Sequence, residues 1–177
     1  MTTRTLYDGD TFEYRGHTFR VTMERDDCIS EPWKEYDGHG PVSEWVTRAK
    51  GPGERILATD RCHHRFYDFA EAIKIAKHDQ WRCQHGRTDH ATVGELAHCA
   101  VEQDYDRLHR WCQDDWCYVV LTVKLLDDDG NETIEDETIG GVESDSGDYM
   151  VTLAHELADE ILSRVEVDEP NVHLSEN

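Results

Sequence analysis

The feature that most constrains the fold lies between Trp116 and Ser144, where the chain reads WCYVVLTVKLL, DDDGN and ETIEDETIGGVES. The first segment is nearly continuous in β-branched and aromatic residues, which is typical of a strand at the centre of a sheet. DDDGN has the composition of a turn, and the third segment interleaves acids with Ile and Thr. The sequence therefore predicts a β-hairpin with one buried strand and one acidic strand.

Hydrophobic periodicity outside this hairpin predicts the remaining elements. Two β-rich runs at 11–14 and 17–24 are joined at Arg15-Gly16, and a short strand is expected at 55–58. Helical spacing predicts helices over 67–78 and from a capping box at Thr92 and Glu95 to about 113, and a final helix after Ser146. This order predicts an α+β fold: a mainly antiparallel sheet of four to five strands with about three helices packed on one face.

The length of 177 residues, 37% of them hydrophobic, fits a single α+β domain over 1–170, with a frayed tail over 171–177. The segment 25–54 shows no clear period, and its two tryptophans, Trp33 and Trp45, indicate that it is packed down. No apolar run reaches the roughly 20 residues of a membrane span, and the N-terminus lacks the apolar core of a signal peptide. We therefore expect a cytoplasmic protein without membrane contact.

The six cysteines are scattered irregularly, which favours reduced thiols over a disulfide framework. The nearest approach to a metal site is CQHGRTDH, with Cys83, His85 and His90, but the chain contains no C-x2-C pair. We interpret these side chains as polar loop residues, and we expect no metal and no cofactor.

A second candidate lies in the loop DGHGPVSEW, where a histidine stands between two glycines. The glycines permit positive φ and Pro41 restricts the exit of the loop, so His39 can be held in a defined place. Asp37 could orient its imidazole and Ser43 could act as a nucleophile. However, no G-x-S-x-G elbow accompanies them, and we favour a structural turn that seats Trp45, so no catalytic residue is assigned.

The strongest physical signal is the uneven distribution of the net charge of −21. Residues 111–177 carry 19 acids against two bases, Lys124 and Arg164. On an extended strand, neighbouring carboxylates would be about 3.4 Å apart, similar to the charge spacing of one DNA strand. A solvated face that keeps the protein soluble is the alternative. The candidate partner-binding residues are Asp127, Asp128, Asp129, Glu132, Glu135, Asp136, Glu137, Glu143, Asp145 and Asp148.

Several stretches together resemble a family of small acidic proteins encoded by tailed bacteriophages and prophages. They read EPWKEYDGHGPVSEW, PGERIL, RFYDFAEAIKIAKHDQW, DYDRLHRWCQDDW and GGVESDSGDYM, and they cover most of the chain from Glu31 to Ala158. DGHGPVSEW and GVESDSGDY are the most specific parts, whereas RCQHGRTDH falls outside the pattern. The resemblance implies an accessory protein made inside an infected or lysogenic bacterium, and it assigns no site residue.

Together these observations favour a non-enzymatic protein that inhibits a host protein. Its acidic surface would occupy a basic, nucleic-acid-binding surface on that host protein, and it would not bind nucleic acid itself. The alternative is a small enzyme with its site around Asp37-Gly38-His39-Gly40.

Overall fold

The computed structural model of the protein describes residues 5–83 and 91–168. Contacts divide the chain into two compact units, which we call unit 1 (Met1–Cys28 and Cys117–Asn177) and unit 2 (Ile29–Trp116). The single domain expected over 1–170 stays a prediction, and the tail 171–177 lies outside the described residues. In chain order the elements are β1 (Thr11–Tyr14), β2 (His17–Arg25), α1 (Pro32–Glu35), β3 (Glu54–Asp60), β4 (His63–Asp68), α2 (Phe69–His78), α3 (Val93–Cys112), β5 (Tyr118–Leu126), β6 (Glu132–Glu143) and α4 (Asp148–Asp168).

Unit 1 is a four-stranded antiparallel sheet in the order β1-β2-β5-β6, with α4 on one face. The β1–β2 hairpin turns at Arg15 and Gly16, both of which have positive φ, as a two-residue hairpin turn requires. Alternate residues of β2 and β5 enter the core, where Val21, Leu121 and Val123 are fully buried. They pack against the apolar stripe of α4. This arrangement confirms the predicted hairpins and the inner position of β5.

β6 lies at the edge of this sheet and departs from regular pairing with β5 at two places. At the bulge near Gly140 and Gly141, the Asp26 carboxylate accepts a hydrogen bond from the Gly141 amide at 2.9 Å. Farther along, Arg164 of α4 contacts the Glu137 carboxylate and donates to the Asp136 carbonyl oxygen at 2.7 Å. Arg164 therefore occupies a backbone acceptor of the edge strand.

Unit 2 combines the two-stranded antiparallel sheet of β3 and β4 with helices α2 and α3. Its core includes the fully buried Leu57, Tyr67, Val101 and Leu108. α2 begins at Phe69 rather than at Tyr67, because Asp68 caps it by accepting a hydrogen bond from the Glu71 amide at 2.9 Å. Tyr67 belongs instead to β4, a strand that the sequence did not predict.

The N-terminus of α3 has the predicted capping box. The Thr92 hydroxyl accepts from the Glu95 amide at 3.3 Å, and the Glu95 carboxylate accepts from the Thr92 amide at 2.8 Å. The predicted α+β class is confirmed. The strands are divided between two sheets, because β3 pairs with β4 and not with the four-stranded sheet.

Candidate functional site

All ten predicted acidic residues belong to unit 1, along β6 and the loops that flank it. Asp127, Asp128 and Asp129 form the exposed turn between β5 and β6. Five carboxylates follow on β6 itself, and the remaining two lie between its end and the first residue of α4. These are Glu132, Glu135, Asp136, Glu137 and Glu143, and then Asp145 and Asp148.

Asp127 holds the turn together. Its Oδ1 accepts hydrogen bonds from the amides of Asn131 at 2.8 Å and Asp129 at 3.0 Å. The Asn131 amide bond is the main reason that the pKa of Asp127 lies below its usual range. The principal role of Asp127 in this geometry is to shape the turn.

Two of the strand acids form ion pairs within unit 1. Glu132 accepts from Lys124 at 3.0 Å and from Arg20 at 3.1 Å, and Glu137 pairs with Arg164. The hydrogen bonds from these bases lower the pKa values of both glutamates. Part of the charge of the acidic strand is therefore neutralised internally.

Four of the acids form no close ion pair, although Lys124 interacts electrostatically with Asp136 and Arg164 with Glu135. Among residues 5–83 and 91–168, no lysine or arginine forms an ion pair with Asp128, Asp129, Glu135 or Asp136. Asp128, Asp129 and Asp136 are exposed, and Glu135 is half-buried. These four residues, which we call the unpaired acids, are the part of the predicted surface most available to a basic partner.

Consecutive acids on β6 lie on opposite faces of the sheet. Glu137 is opposite Val123, which is buried with α4, whereas Asp136 is opposite Lys124 on the other face. Side chains on one face of a strand are therefore about 6.8 Å apart. The predicted 3.4 Å match to the charges of one DNA strand is wrong for this surface.

In unit 2, the structure connects His39 to a carboxylate from α3. Nδ1 of His39 lies 2.6 Å from Oδ1 of Asp104, whose side chain is 8% exposed. Oδ2 of Asp104 accepts from the Gly40 amide at 2.7 Å and from the Tyr67 hydroxyl at 2.6 Å. Three donors from the loop and β4 thus converge on one nearly buried carboxylate.

Tyr67 and Gly40 fix the approach of the loop to this carboxylate. A Cβ atom on Gly40 would lie 2.3 Å from the Tyr67 hydroxyl oxygen, so the position admits only glycine without a rearrangement. Burial and the neighbouring Asp104 charge raise the pKa of Tyr67 far above its usual range, which keeps the phenol protonated as a donor.

The geometry corrects the predicted roles of two loop residues. No hydrogen bond joins Asp37 to His39 in the described part of the chain, because Asp104 binds the imidazole instead. The Ser43 hydroxyl donates to the Glu44 carbonyl at 2.8 Å and accepts from the Phe66 amide at 2.9 Å. Ser43 therefore anchors the loop to β4, and its position offers no support for a role as nucleophile.

The prediction that this loop seats Trp45 is only partly met, because 42% of the Trp45 surface stays exposed. The guanidinium of the buried Arg65 lies 4.9 Å from the ring centroids of both Trp33 and Trp45. Glu31 accepts from Arg65 at 3.2 Å. The aromatic and ionic contacts explain how a segment without periodicity is held in place.

The cysteines differ from the prediction at one pair. Cys83 and Cys99 form a disulfide, so the interpretation of all six as reduced thiols is wrong for these two. Burial raises the pKa of the free Cys112 thiol to about 11, so at neutral pH this residue is not a thiolate nucleophile.

His85 and His90 lie outside the described residues, so the interpretation of this stretch as polar loop residues without a metal stays a prediction. Within the described residues, no three His, Cys, Asp or Glu side chains are grouped so that they could hold a metal ion.

Over the same described residues, no helix has both the length and the apolar character needed to cross a membrane. Comparisons with protein-family models, with curated proteins and with solved structures find no match.

Proposed function

We propose that the protein is a non-enzymatic inhibitor that binds a basic, nucleic-acid-binding surface of a host protein through the acidic hairpin of unit 1. The resemblance to phage proteins suggests the cytoplasm of an infected or lysogenic bacterium as the setting. The observation that carries the proposal is the set of unpaired acids, Asp128, Asp129, Glu135 and Asp136, on an exposed turn and an edge strand.

The charge balance of unit 1 supports this proposal. Unit 1 contains 23 acidic and 6 basic residues, whereas unit 2 contains 16 and 12. Of the six bases, Arg15, Arg20, Lys124 and Arg164 are already paired with carboxylates of unit 1. A surface with this excess of negative charge attracts basic partners over distances of about a Debye length and accelerates their association.

The test is affinity capture from bacterial lysate at about 50 mM and about 300 mM NaCl, which span a strong change in screening. We expect the captured partner to be a nucleic-acid-binding protein, retained at least tenfold better at low salt. Short duplex DNA should compete for it, because both ligands would occupy the same basic surface.

Two variants with equal changes in charge separate a specific surface from general acidity. The first neutralises the unpaired acids: Asp128→Asn, Asp129→Asn, Glu135→Gln and Asp136→Asn. The control neutralises four exposed acids of unit 2: Glu35→Gln, Asp37→Asn, Asp60→Asn and Asp106→Asn. Only the first should abolish capture. Equal losses in both variants, or capture that ignores salt, would contradict the proposal.

A second candidate function is an enzyme that uses His39 as a general base. The observation that favours it is the Asp104–His39 pair, because a carboxylate bound to Nδ1 leaves Nε2 as the nitrogen that exchanges protons with a substrate. The imidazole is 22% exposed, so it is accessible to small molecules.

The His39→Gln substitution tests this candidate. A catalytic His39 predicts loss of turnover in a screen of hydrolase substrates, with the melting temperature nearly unchanged. A large loss of thermal stability without any separate activity would return His39 to a structural role in the loop.

A further inference from the structure

Unit 2 contains a cavity of about 540 Å³ between the C-terminal end of α2 and the start of α3. Its apolar lining includes Ala76, Leu96 and Ala97, and Trp81 contributes an aromatic side chain. Lys77 and Arg82 also line it. The volume falls within the range of small-molecule sites in proteins, which are mostly apolar with a few polar groups that orient the ligand.

The wall that carries Trp81 is fixed in two ways. Gln80 has a φ of +55°, and the Trp81 amide donates to the Ala76 carbonyl at 2.9 Å, which closes α2 and reverses the chain. Two residues later, the disulfide from Cys83 to Cys99 ties the chain to α3. Because this wall is already fixed, ligand binding loses little conformational entropy there.

The cations at the cavity differ from most other cations of unit 2. Arg48, Arg55, Arg65 and Lys74 are each paired with a glutamate. By contrast, in the described ranges 5–83 and 91–168, neither Lys77 nor Arg82 forms an ion pair. They are both exposed. Lys77 and Arg82 therefore place positive charge at the cavity that an anionic ligand can pair with.

We propose that this cavity binds a small aromatic carboxylate. The aromatic body packs against Trp81, Ala76, Leu96 and Ala97, and the carboxylate lies near Lys77 and Arg82. Burial of the apolar body supplies affinity, and the two cations distinguish the acid from its uncharged analogues. This site is in unit 2, so it is independent of the acidic hairpin and does not rest on the function proposed above.

The test compares 1-naphthaleneacetate with 1-naphthaleneacetamide, which has the same rings and no charge. Both are titrated into the full chain, with calorimetry for affinity and the Trp81 indole N–H resonance for location. We expect the carboxylate to bind at least tenfold more tightly than the amide and to shift the Trp81 signal. Absence of binding at millimolar carboxylate, or binding that leaves Trp81 unshifted, overturns the proposal.

Paired variants test the role of the cations. The Lys77→Gln/Arg82→Gln variant should bring the affinity of the carboxylate close to that of the amide, while the amide binds as before. The control, Lys50→Gln/Arg61→Gln, removes the same charge from exposed positions of unit 2 that do not line the cavity. This control variant should still bind the carboxylate at least tenfold more tightly than the amide. An equal loss in both variants would mean that general charge attracts the ligand, and the assigned cation role would be wrong.

Discussion

The two units use their acidic residues in opposite ways. In unit 2, carboxylates are matched by donors: Glu54 binds Arg48, Glu102 binds Arg55, and Asp104 accepts from three groups. In unit 1, acids outnumber bases by 23 to 6, and within the described residues several carboxylates on the hairpin form no ion pair. The net charge of −21 therefore comes mostly from unit 1, because acids and bases are closer to balance in unit 2.

Carboxylates that hold the fold together and carboxylates that are exposed to a partner affect stability differently. A nearly buried carboxylate contributes to stability through its hydrogen bonds, and removal of that carboxylate leaves donors unsatisfied. An exposed, unpaired carboxylate contributes little to the fold and repels its neighbours. Substitutions of the paired carboxylates of unit 2, above all the nearly buried Asp104, should therefore be costly. Substitutions of exposed, unpaired acids on the hairpin of unit 1 should be nearly neutral or favourable.

The largest effect is expected for Asp104→Ala. The substitution removes the acceptor of Tyr67, Gly40 and His39, and we expect the free energy of unfolding to fall by about 4 kcal/mol because buried donors lose their partner. Urea denaturation measures this loss. Asp106→Ala, at an exposed position of the same helix, is the control and should change stability by less than about 0.5 kcal/mol. Similar losses of stability in both variants would contradict the distinction between nearly buried and exposed carboxylates.

Gly40→Ala should have the next largest effect. The new methyl group would lie 2.3 Å from the hydroxyl oxygen of the fully buried Tyr67, and we expect a loss of about 2 kcal/mol from overpacking. Thermal denaturation checks the result. Gly94→Ala, in the first turn of α3 with no atom closer than 3.9 Å to the added Cβ, should be neutral or slightly stabilising.

The pairing of Glu54 predicts an unusual titration in unit 2. Hydrogen bonds from Arg48 and from the Gly51 amide lower its pKa to about 2, from an ordinary value of 4.5. Because the folded pKa is the lower one, Glu54 contributes stability above pH 4.5, and this contribution is lost as the pH falls towards 2. The NMR titration of its side-chain carboxyl carbon should have a midpoint near 2, and Arg48→Gln should move that midpoint upwards. An unchanged midpoint in the variant would show that Arg48 is not the cause.

The smallest effect is expected for the turn acids of unit 1. The Asp128→Asn/Asp129→Asn variant should keep or slightly raise the free energy of unfolding in urea denaturation, by about 0.5 kcal/mol or less, because it removes repulsion and no ion pair. The gain should disappear in about 1 M NaCl, where charges are screened within about 3 Å. A clear destabilisation would show that these two carboxylates have a structural role.

The hairpins of unit 1 were predictable because their signals are local. β5 and β6 follow from a run of apolar residues, a turn and an alternating strand, and the capping box of α3 lies within four residues. β4 was missed because its first residues are polar, and because it joins α2 directly at Asp68, where strand and helix periods merge.

Only part of the His39 site in unit 2 could be predicted from the sequence. Glycines around His39 indicated a defined loop, but its partner Asp104 is 65 positions away in the chain and has no local signature. The Cys83–Cys99 disulfide spans 16 positions and matches no motif. In both cases the contact depends on how α3 packs, which single-sequence periodicity does not encode.

The contact of Arg164 with the Asp136 carbonyl has a consequence for behaviour at high protein concentration. An edge strand with free amides and carbonyls can pair with the same strand of another molecule, which is the elementary step of fibril growth. Here one acceptor of β6 is occupied, two irregularities interrupt the regular edge, and like charges line its length. We therefore expect the acidity and the bound guanidinium together to protect β6 from amyloid-like assembly.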